Sequence, residues 1–392
     1  MRMKEVEIMK ILHTSDWHLG RTLHGYSLIE DQAYMLDQLI EYMIQEKIEL
    51  LIIAGDVYDK SLPNEEAVAL FNHFISQVIG RLEIPTVIIA GNHDSNTRIH
   101  FGSELFASKH LYIVGECEKG YQQVTIEGSE TIDVYLIPYM EPAYVREIAG
   151  DETIKRHDDA MRYLTRQIEK EKNDRATLLV VHAFVAGGDL SDSERRLCAV
   201  GTAEMVGADC FKPFTYTALG HLHKPQAIGS EHIRYSGSLL KYSISEANQP
   251  KCFVKLEIVD GKLTTLEEVS LKPKRDLKIV QGPIEAIIKA GAQLGEEERQ
   301  DYVYAKIESK GTEDVVGLLK QIYPYTLGAE FVMNKTTSKD RESKQSEFEA
   351  RKKKSLSELF IDFMDYVGET TFDEEETAYM GEVIKQIEEG RK

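Results

Sequence analysis

Five short motifs, rich in carboxylate, amide and imidazole side chains, follow one another in the first 223 residues of the chain. They are Asp16-Trp17-His18, Gly55-Asp56-Val57-Tyr58-Asp59, Gly91-Asn92-His93-Asp94, the isolated His182 and Gly220-His221-Leu222-His223. These side chains are sufficient to bind two adjacent divalent cations. Two cations about 3.5–4 Å apart provide a nucleophile at neutral pH and neutralise the charge of a phosphate. The ordered set therefore predicts hydrolysis of a phosphate ester, although each motif alone would be weak evidence.

Two of these residues have a simpler explanation when they are considered alone. Asp59 could be a turn or cap residue. His182 follows an apolar run and could be a hydrogen-bonded histidine of the core. Asp56 is the best candidate to bridge two cations, because a carboxylate has two oxygens and the preceding Gly55 allows a tight turn. Since no thiolate is among the candidates, the ligand set suits Mn²⁺, with Fe²⁺ or Zn²⁺ as alternatives.

Short apolar runs that predict buried strands precede most of the candidates. The runs are Ile8–Leu12, Leu50–Ala54, Thr86–Ala90, Val134–Ile137, Thr177–Val181 and Tyr216–Leu219. Apolar residues at helical spacing between 67 and 78 predict a helix that packs on the sheet. Open α/β sheets place their sites beyond the carboxyl ends of strands. We therefore expect an α/β fold in which the five motifs meet at one edge of the strands.

The pattern changes near residue 273 and predicts three further segments. Alternating strands and helices follow, with strands at Leu277–Val280, Tyr302–Glu308 and Ala329–Met333, so that residues 273–334 are expected to form a small α/β domain. Residues 335–354 are highly charged and are expected to be a linker. Residues 355–392 contain two amphipathic helical patterns, each preceded by a capping box. This helical pair either folds back on the body of the protein or docks on a partner.

Composition limits the function classes only weakly. The formal net charge of −19 argues against a nucleic-acid partner at first sight, but phosphate binding depends on local clusters of charge. Four cysteines without a Cys-x-x-Cys pair give no sign of a zinc ribbon or a disulfide framework, which favours a reducing cytoplasm. No apolar run approaches the roughly 18 residues of a membrane span, and no membrane partner is expected.

Taken together, the motifs resemble the signature of the calcineurin-like metallophosphoesterases over residues 9–245. Within that superfamily, residues 14–20 (TSDWHLG), residues 235–239 (YSGSL) and Tyr242-Ser243 resemble the nuclease subunits of bacterial double-strand-break repair complexes. The resemblance implies a metallophosphoesterase β-sandwich flanked by helices over residues 9–272. It also implies that residues 273–334 are a capping domain and that residues 355–392 bind a partner.

The resemblance further implies a division of the ligands between two metals. Asp16, His18 and His223 would hold one metal, while Asn92, His182 and His221 would hold the other. Asp56 would lie between the two. His93 would not be a ligand but would face the phosphate, where it stabilises the transition state or protonates the leaving oxygen. Asp59 would orient His93.

The implied substrate is DNA, cut by a manganese-dependent exonuclease at double-stranded ends and by an endonuclease at hairpins or single strands. The implied partner is a coiled-coil ATPase. The chain itself has no Gly-x-x-x-x-Gly-Lys-Ser/Thr string, so ATP must be bound by another subunit. The resemblance also implies a homodimer, formed through helices near residues 64–80 and 98–108 within a heterotetramer, in the cytoplasm on the nucleoid.

Two other functions would use similar residues. One is a protein phosphatase or a small-molecule phosphodiesterase, which has the same kind of metal site. The phosphatases of that branch carry a motif that resembles Gly-Asn-His-Glu, whereas Asp94 follows His93 in this chain. The other is a scaffold that holds DNA or a partner without cutting, in which a degenerate site usually loses a ligand. The complete ligand set therefore favours the nuclease.

Overall fold

In the computed structural model, which describes residues 7–195, 204–308 and 314–332, two six-stranded β-sheets pack face to face. The strands of the first sheet, in sheet order, are β14 (Lys262–Ser270), β13 (Cys252–Val259), β1 (Met9–Thr14), β4 (Leu50–Ile53), β5 (Thr86–Ile89) and β6 (Leu111–Val114). Those of the second are β11 (Gln226–Ile228), β12 (Ser230–Tyr235), β10 (Tyr216–Gly220), β9 (Thr177–His182), β8 (Thr131–Ile137) and β7 (Gln122–Glu127). The strands that carry the motifs run parallel to their neighbours: β1 to β4 to β5, and β9 to β10.

The central strands are buried on both faces, which explains their continuous apolar runs. Ile11 and Ile52 point into the core between the two sheets, together with Val180 of the second sheet. Their neighbours Leu12 and Leu51 point outwards, towards the helices. Most strands predicted for the sandwich are present within one or two residues of their expected ends, but β8 begins at Thr131, three residues before the expected start at Val134. The α/β sandwich is confirmed.

Helices cover the outer faces of both sheets. Those on the first sheet are α1 (Ile29–Glu46) and α2 (Glu65–Gly80), and α6 (His157–Glu171) lies on the second. The shorter ones are α3 (Asn96–Ile99), α4 (Ser103–Ala107), α5 (Pro142–Ala149) and α7 (Asp192–Arg195), with 3-10 turns at Ala208–Phe211 and Ile244–Glu246. The predicted helix over 67–78 is part of α2, which Asn64 caps by accepting from the Ala67 N–H at 2.8 Å. Only part of its apolar stripe is buried, since Val68 is 44% exposed.

A small three-stranded parallel sheet follows the sandwich. Its elements in chain order are β15 (Leu277–Gly282), α8 (Ile284–Gly291), α9 (Glu296–Arg299), β16 (Tyr302–Ile307), α10 (Val315–Lys320) and β17 (Thr326–Phe331). The expected order of strands and helices is present. The expected start of the last strand, at Ala329, is wrong by three residues. Thr326 and Leu327 are the buried residues of β17, whereas Glu330 and Phe331 are exposed.

Polar contacts join the small sheet to the sandwich through α1 and the adjacent hairpin of β2 (Thr22–Leu23) and β3 (Tyr26–Ser27). The buried carboxylate of Asp31 accepts from Arg275 at 2.7 Å and from the hydroxyl of Tyr302 at 2.8 Å. The described residues up to Phe331 belong to one compact unit. The expected domain limit at 272/273 stays a prediction, and the expected linker (335–354) and helical pair (355–392) lie outside the described residues. None of the described helices is long and apolar enough to cross a membrane.

Candidate dimetal centre

The seven candidate ligands come from both sheets and meet at one edge of the sandwich. Three parallel strands of the first sheet contribute four of them: Asp16 and His18 follow β1, Asp56 follows β4 and Asn92 follows β5. The second sheet contributes the other three: His182 ends β9, while His221 and His223 follow β10. The carboxyl ends of parallel neighbours lie at the same edge, as the sequence analysis assumed.

Asp16, His18 and His223 form the first group. The Nε2 atoms of His18 and His223 lie 3.0 Å apart. One oxygen of Asp16 and these two imidazoles all lie within 4.8 Å of one another, and all three residues are buried. The Asp16 carboxylate also accepts the backbone N–H of His221 at 3.1 Å and the hydroxyl of Ser15 at 2.5 Å. These contacts hold the carboxylate in place beside the two rings.

Asn92, His182 and His221 form the second group around one oxygen. The side-chain Oδ1 of Asn92 lies 3.0 Å from Nε2 of His182 and 3.0 Å from Nδ1 of His221. The other ring nitrogen of His182 donates to the carbonyl of Ala54 at 2.9 Å. That bond orients the His182 ring so that Nε2 faces Asn92.

Asp56 lies between the two groups. Its Oδ2 is 3.6 Å from Nε2 of His18 and 3.5 Å from Nε2 of His182. Its Oδ1 accepts the backbone N–H of His93 at 2.8 Å. The structure therefore brings the seven predicted ligands together in the two groups implied by the resemblance, with Asp56 in the bridging position. Their role as metal ligands stays a prediction.

His93 lies beside these groups and is oriented by Asp59, but not through the carboxylate. The Nδ1 of His93 contacts the main-chain carbonyl of Asp59 at 2.8 Å. The side chain of Asp59 instead accepts from Arg21 at 3.1 Å and lies 3.8 Å from Nδ1 of His18. The ring of His93 packs edge-on against that of His18, with centroids 4.6 Å apart. Any residue at position 59 would offer the same carbonyl, so the identity of Asp59 matters for Arg21 and His18.

Several of these residues have strained backbones. Asp16, His18 and Asp56 have φ angles of 53°, 45° and 51°, and His221 has a φ of 112°. Such conformations cost on the order of 1–3 kcal/mol each for residues other than glycine and concentrate at functional sites. Pairing between the motifs maintains them, because the Asp16 N–H donates to Gly55 O and the His18 N–H donates to Asp56 O, both at 3.0 Å.

Two glycines of the motifs are required by close approach of the two sheets. A Cβ on Gly55 would lie 2.3 Å from Nδ1 of His182, and one on Gly220 would lie 1.8 Å from the carbonyl oxygen of Ala54. Either side chain would push the second sheet away from the first. The glycines therefore allow the candidate ligands at the carboxyl ends of β9 and β10 to approach Asp56, which follows β4.

Asp94 has a structural role that the sequence analysis did not assign. Its buried carboxylate accepts three backbone N–H groups, those of Gly91 at 2.9 Å, Tyr58 at 2.9 Å and Val57 at 3.1 Å. It therefore joins the loop of Asp56 to the loop of Asn92. The only sequence signal was its position directly after His93.

The charges of the site fit a divalent cation. Burial raises the pKa of Asp16 to about 6, although His182 and His223 oppose the effect. Burial would lower the pKa of His182, but the charge of Asp56 outweighs it and raises that pKa to about 9. The same attraction from His182 outweighs burial at Asp56 and holds its pKa well below the usual range. The pocket thus favours a positive charge beside the buried carboxylate of Asp56. Because three side-chain oxygens and several imidazole nitrogens surround it, a divalent cation would fit this pocket.

A buried polar network behind His223 was also missed. Nδ1 of His223 lies 2.9 Å from Ser193 Oγ, and that hydroxyl lies 2.7 Å from Glu246. Glu246 is fully buried and forms an ion pair with Lys251 at 2.7 Å. No local pattern marks these residues in the sequence, because a glutamate and a lysine are usually exposed.

A family model described as calcineurin-like phosphoesterase matches residues 9–225, more than half of the chain. The chain belongs to the calcineurin-like phosphoesterase family. It is therefore a metal-dependent phosphoesterase. The chain is also 40% identical over 321 residues to the D subunit of the nuclease SbcCD from Staphylococcus saprophyticus, and this match covers 81% of the chain and 84% of that protein. The resemblance inferred from the motifs is thereby confirmed.

Solved structures also align with this phosphoesterase, at low similarity. TT1561 of Thermus thermophilus is 15% identical with a TM-score of 0.39, and the alignment covers 68% of this chain and all (100%) of that one. A dimetal phosphatase from Danio rerio is 10% identical with a TM-score of 0.38, and the alignment covers 67% of this chain and 99% of that one. With TM-scores below 0.5, these alignments do not bear on the site or its substrate.

Proposed function

We propose that this phosphoesterase is the nuclease subunit of an SbcCD-type complex and hydrolyses DNA phosphodiester bonds with two Mn²⁺ ions. It acts as an exonuclease on double-stranded ends and as an endonuclease on hairpin or single-stranded DNA, in repair and recombination. The convergence of seven ligand side chains, with His93 beside them, is the observation that supports hydrolysis. The match to the staphylococcal nuclease subunit supports DNA as the substrate.

Each group of residues has its own task in this proposal. Asp16, His18 and His223 hold one cation, and Asn92, His182 and His221 hold the other, with Asp56 shared. When bound, the two cations provide the nucleophile and neutralise the phosphate. Carboxylate, amide and imidazole ligands without a thiolate suit Mn²⁺.

His93 donates a proton to the leaving oxygen. Its Nδ1 donates to the carbonyl of Asp59, so the proton for the substrate must be carried on Nε2. Because the ring also packs against His18, its position is determined before the substrate binds. A general acid in a fixed position contributes on the order of 10²–10⁴ to the rate.

The proposed partners are DNA, an SbcC-like coiled-coil ATPase and a second copy of this chain, on the nucleoid in the cytoplasm. Residues 355–392 would bind the ATPase. An exposed apolar surface supports the homodimer. Phe101 and Leu105 are 82% and 77% exposed, and Leu62 and Val68 are 70% and 44% exposed. A hydrogen bond of 2.9 Å from Arg98 to the carbonyl of Ser61 brings the two parts of this surface together.

A comparison of substrates tests the proposed function. The purified chain should cleave a hairpin oligonucleotide in the presence of Mn²⁺ and should leave a phosphopeptide intact. Asp56→Asn, which removes the bridging charge, should abolish cleavage. Loss of cleavage in this variant would show that the activity does not come from a contaminating nuclease. Rapid release of phosphate from the peptide would instead favour the phosphatase. Binding of the hairpin without hydrolysis, in protein that has taken up metal, would favour the scaffold.

A further inference from the structure

His223 contacts a hydrogen-bonded chain that leads away from the other ligands. Its Nε2 faces Nε2 of His18 at 3.0 Å, within the first group of ligands. On the opposite side of the ring, Nδ1 lies 2.9 Å from Ser193 Oγ. Ser193 Oγ lies 2.7 Å from Oε1 of Glu246. The ring is therefore held from behind by a serine and a carboxylate.

The carboxylate of Glu246 determines the direction of these hydrogen bonds. It is fully buried, lies 2.7 Å from the ammonium group of Lys251, and accepts the backbone N–H of Tyr242 at 3.2 Å. A carboxylate surrounded by donors is an acceptor only, so the hydroxyl of Ser193 must donate to it. Because the single hydroxyl proton of Ser193 is donated to Glu246, Ser193 Oγ can only accept a hydrogen bond from Nδ1 of His223. The proton of a neutral His223 is then on Nδ1, and the lone pair of Nε2 faces Asp16 and His18.

The backbone of His223 is held by the same two segments. Its N–H donates to the buried carboxylate of Glu194, which is adjacent to Ser193 in α7. Its carbonyl accepts from Nζ of Lys251 at 2.8 Å. The backbone N–H, the carbonyl and the ring of His223 are thus all held by hydrogen bonds, so the lone pair of Nε2 points in a fixed direction, towards Asp16 and His18.

We propose that Ser193 and Glu246 are positioning residues that keep His223 in the tautomer and orientation needed to bind Mn²⁺. The inference rests on the proposed function for the role of His223 as a metal ligand and for the identity of the cation. Groups that orient a metal-binding histidine from behind typically contribute about 10–100-fold to metal affinity. The cation held by His223 should therefore bind more weakly when this chain of hydrogen bonds is broken, while the cation held by His182 should be unaffected.

Isothermal titration of the metal-free full chain with Mn²⁺ alone tests this inference. Ser193→Ala should weaken one of the two Mn²⁺ equivalents by about 10–100-fold and leave the other unchanged. Ser193→Thr, which restores the hydroxyl, should return the affinity to that of the wild type. The matched control is Ser243→Ala, because Ser243 Oγ donates to the same Oε1 of Glu246 at 2.9 Å. Urea unfolding of the metal-free variants should show that all of them fold.

Two results would overturn the inference. One is wild-type affinity for both equivalents in Ser193→Ala. The other is an equal loss in Ser243→Ala, since the effect would then come from the packing around Glu246. DNA cleavage by the wild type is measured in parallel. A wild-type chain that binds two Mn²⁺ but cuts no DNA would refute the proposed nuclease and not the role of Ser193.

Discussion

The Nε2 atoms of His18 and His223 lie 3.0 Å apart, although 205 residues separate them along the chain. His18 follows a strand of the first sheet and His223 follows a strand of the second. A second pair also joins the two sheets: Asn92 follows a strand of the first sheet, His182 ends a strand of the second, and their Oδ1 and Nε2 atoms lie 3.0 Å apart. Each group of ligands therefore contains residues of both sheets, and this has consequences for metal content, cleavage and stability.

The number of metal ions bound by ligand variants should distinguish the two groups of ligands. His223→Ala and His182→Ala should each bind one Mn²⁺ per chain in place of two, because each removes a ligand of one group only. Asp56→Ala should bind none. Metal analysis after dialysis measures this, with His73→Ala, an exposed histidine of α2, as the control. Full occupancy in His182→Ala or His223→Ala would show that the residue is not a ligand.

Cleavage should depend on His93 without any change in metal content. His93→Ala should keep two Mn²⁺ and reduce the rate of hairpin cleavage by about 10²–10⁴-fold, since it removes a proton donor and not a ligand. Single-turnover cleavage and metal analysis on the same preparation measure both effects. If metal content fell in parallel with activity, His93 would have to be reassigned as a ligand.

The chain without residues 355–392 should lose its ATPase partner and keep its activity. Co-purification with an SbcC-like subunit should be abolished, whereas Mn²⁺-dependent cutting by the isolated chain should continue, because all the candidate ligands precede residue 224. The full-length chain purified in the same way is the control. Persistent binding of the ATPase would place the contact elsewhere in the chain.

The exposed apolar surface around Leu105 should carry the homodimer. Leu105→Glu should shift the chain from dimer to monomer in light scattering, because it places a charge in the centre of the buried contact. The side chain is 77% exposed, so the free energy of unfolding should change by no more than about 0.5 kcal/mol. Ile44→Glu changes another exposed apolar residue, 47% exposed in α1, and should leave the dimer intact. A wild-type chain that is already monomeric would contradict the proposal directly.

His13 should make the sandwich sensitive to acid. It is buried between the sheets, hydrogen-bonded to Tyr216 at 2.9 Å, and burial lowers its pKa to about 3. The folded chain thus keeps His13 neutral, while the unfolded chain protonates it below about pH 6.5. Its contribution to stability is complete above that pH and is lost as the pH falls towards 3.

The His13→Gln variant should therefore lose less stability between pH 7.5 and 5.5 than the wild type, by about 1 kcal/mol. Urea unfolding in EDTA at the two pH values measures the difference, and the chelator removes any contribution of bound metal. His73→Gln is the control, because His73 is exposed. Equal acid sensitivity of wild type and His13→Gln would show that His13 can be protonated in the folded protein.

Features encoded by local pattern could be predicted from the sequence. Buried parallel strands have continuous apolar runs, and the ligands follow the ends of these runs, so the position of Asp56 after β4 and of His221 after β10 was expected. The motifs also gave the family. The two groups of ligands were expected because the resemblance supplied them, and the structure brings their side chains together.

Features that depend on long-range packing could not be predicted. Nothing near Glu246 indicates that its carboxylate is buried beside Lys251, since burial of a charged pair depends on what surrounds it. The use of the Asp59 carbonyl, and not its side chain, depends on how the loop after β4 turns towards His93. The start of β17 was misplaced because burial of Thr326 comes from tertiary contacts and not from its own polarity.

The division of ligands between the two sheets also sets the time at which the site can form in the cell. A nascent chain emerging from the ribosome carries Asp16, His18, Asp56 and Asn92 long before His221 and His223 have been translated. In the proposed division of ligands each cation is held by residues of both sheets, so neither can be enclosed until both halves of the sandwich have been made and have packed together. A truncated product ending before residue 221 would lack His221 and His223, and it is therefore expected to bind neither cation fully and to leave DNA uncut.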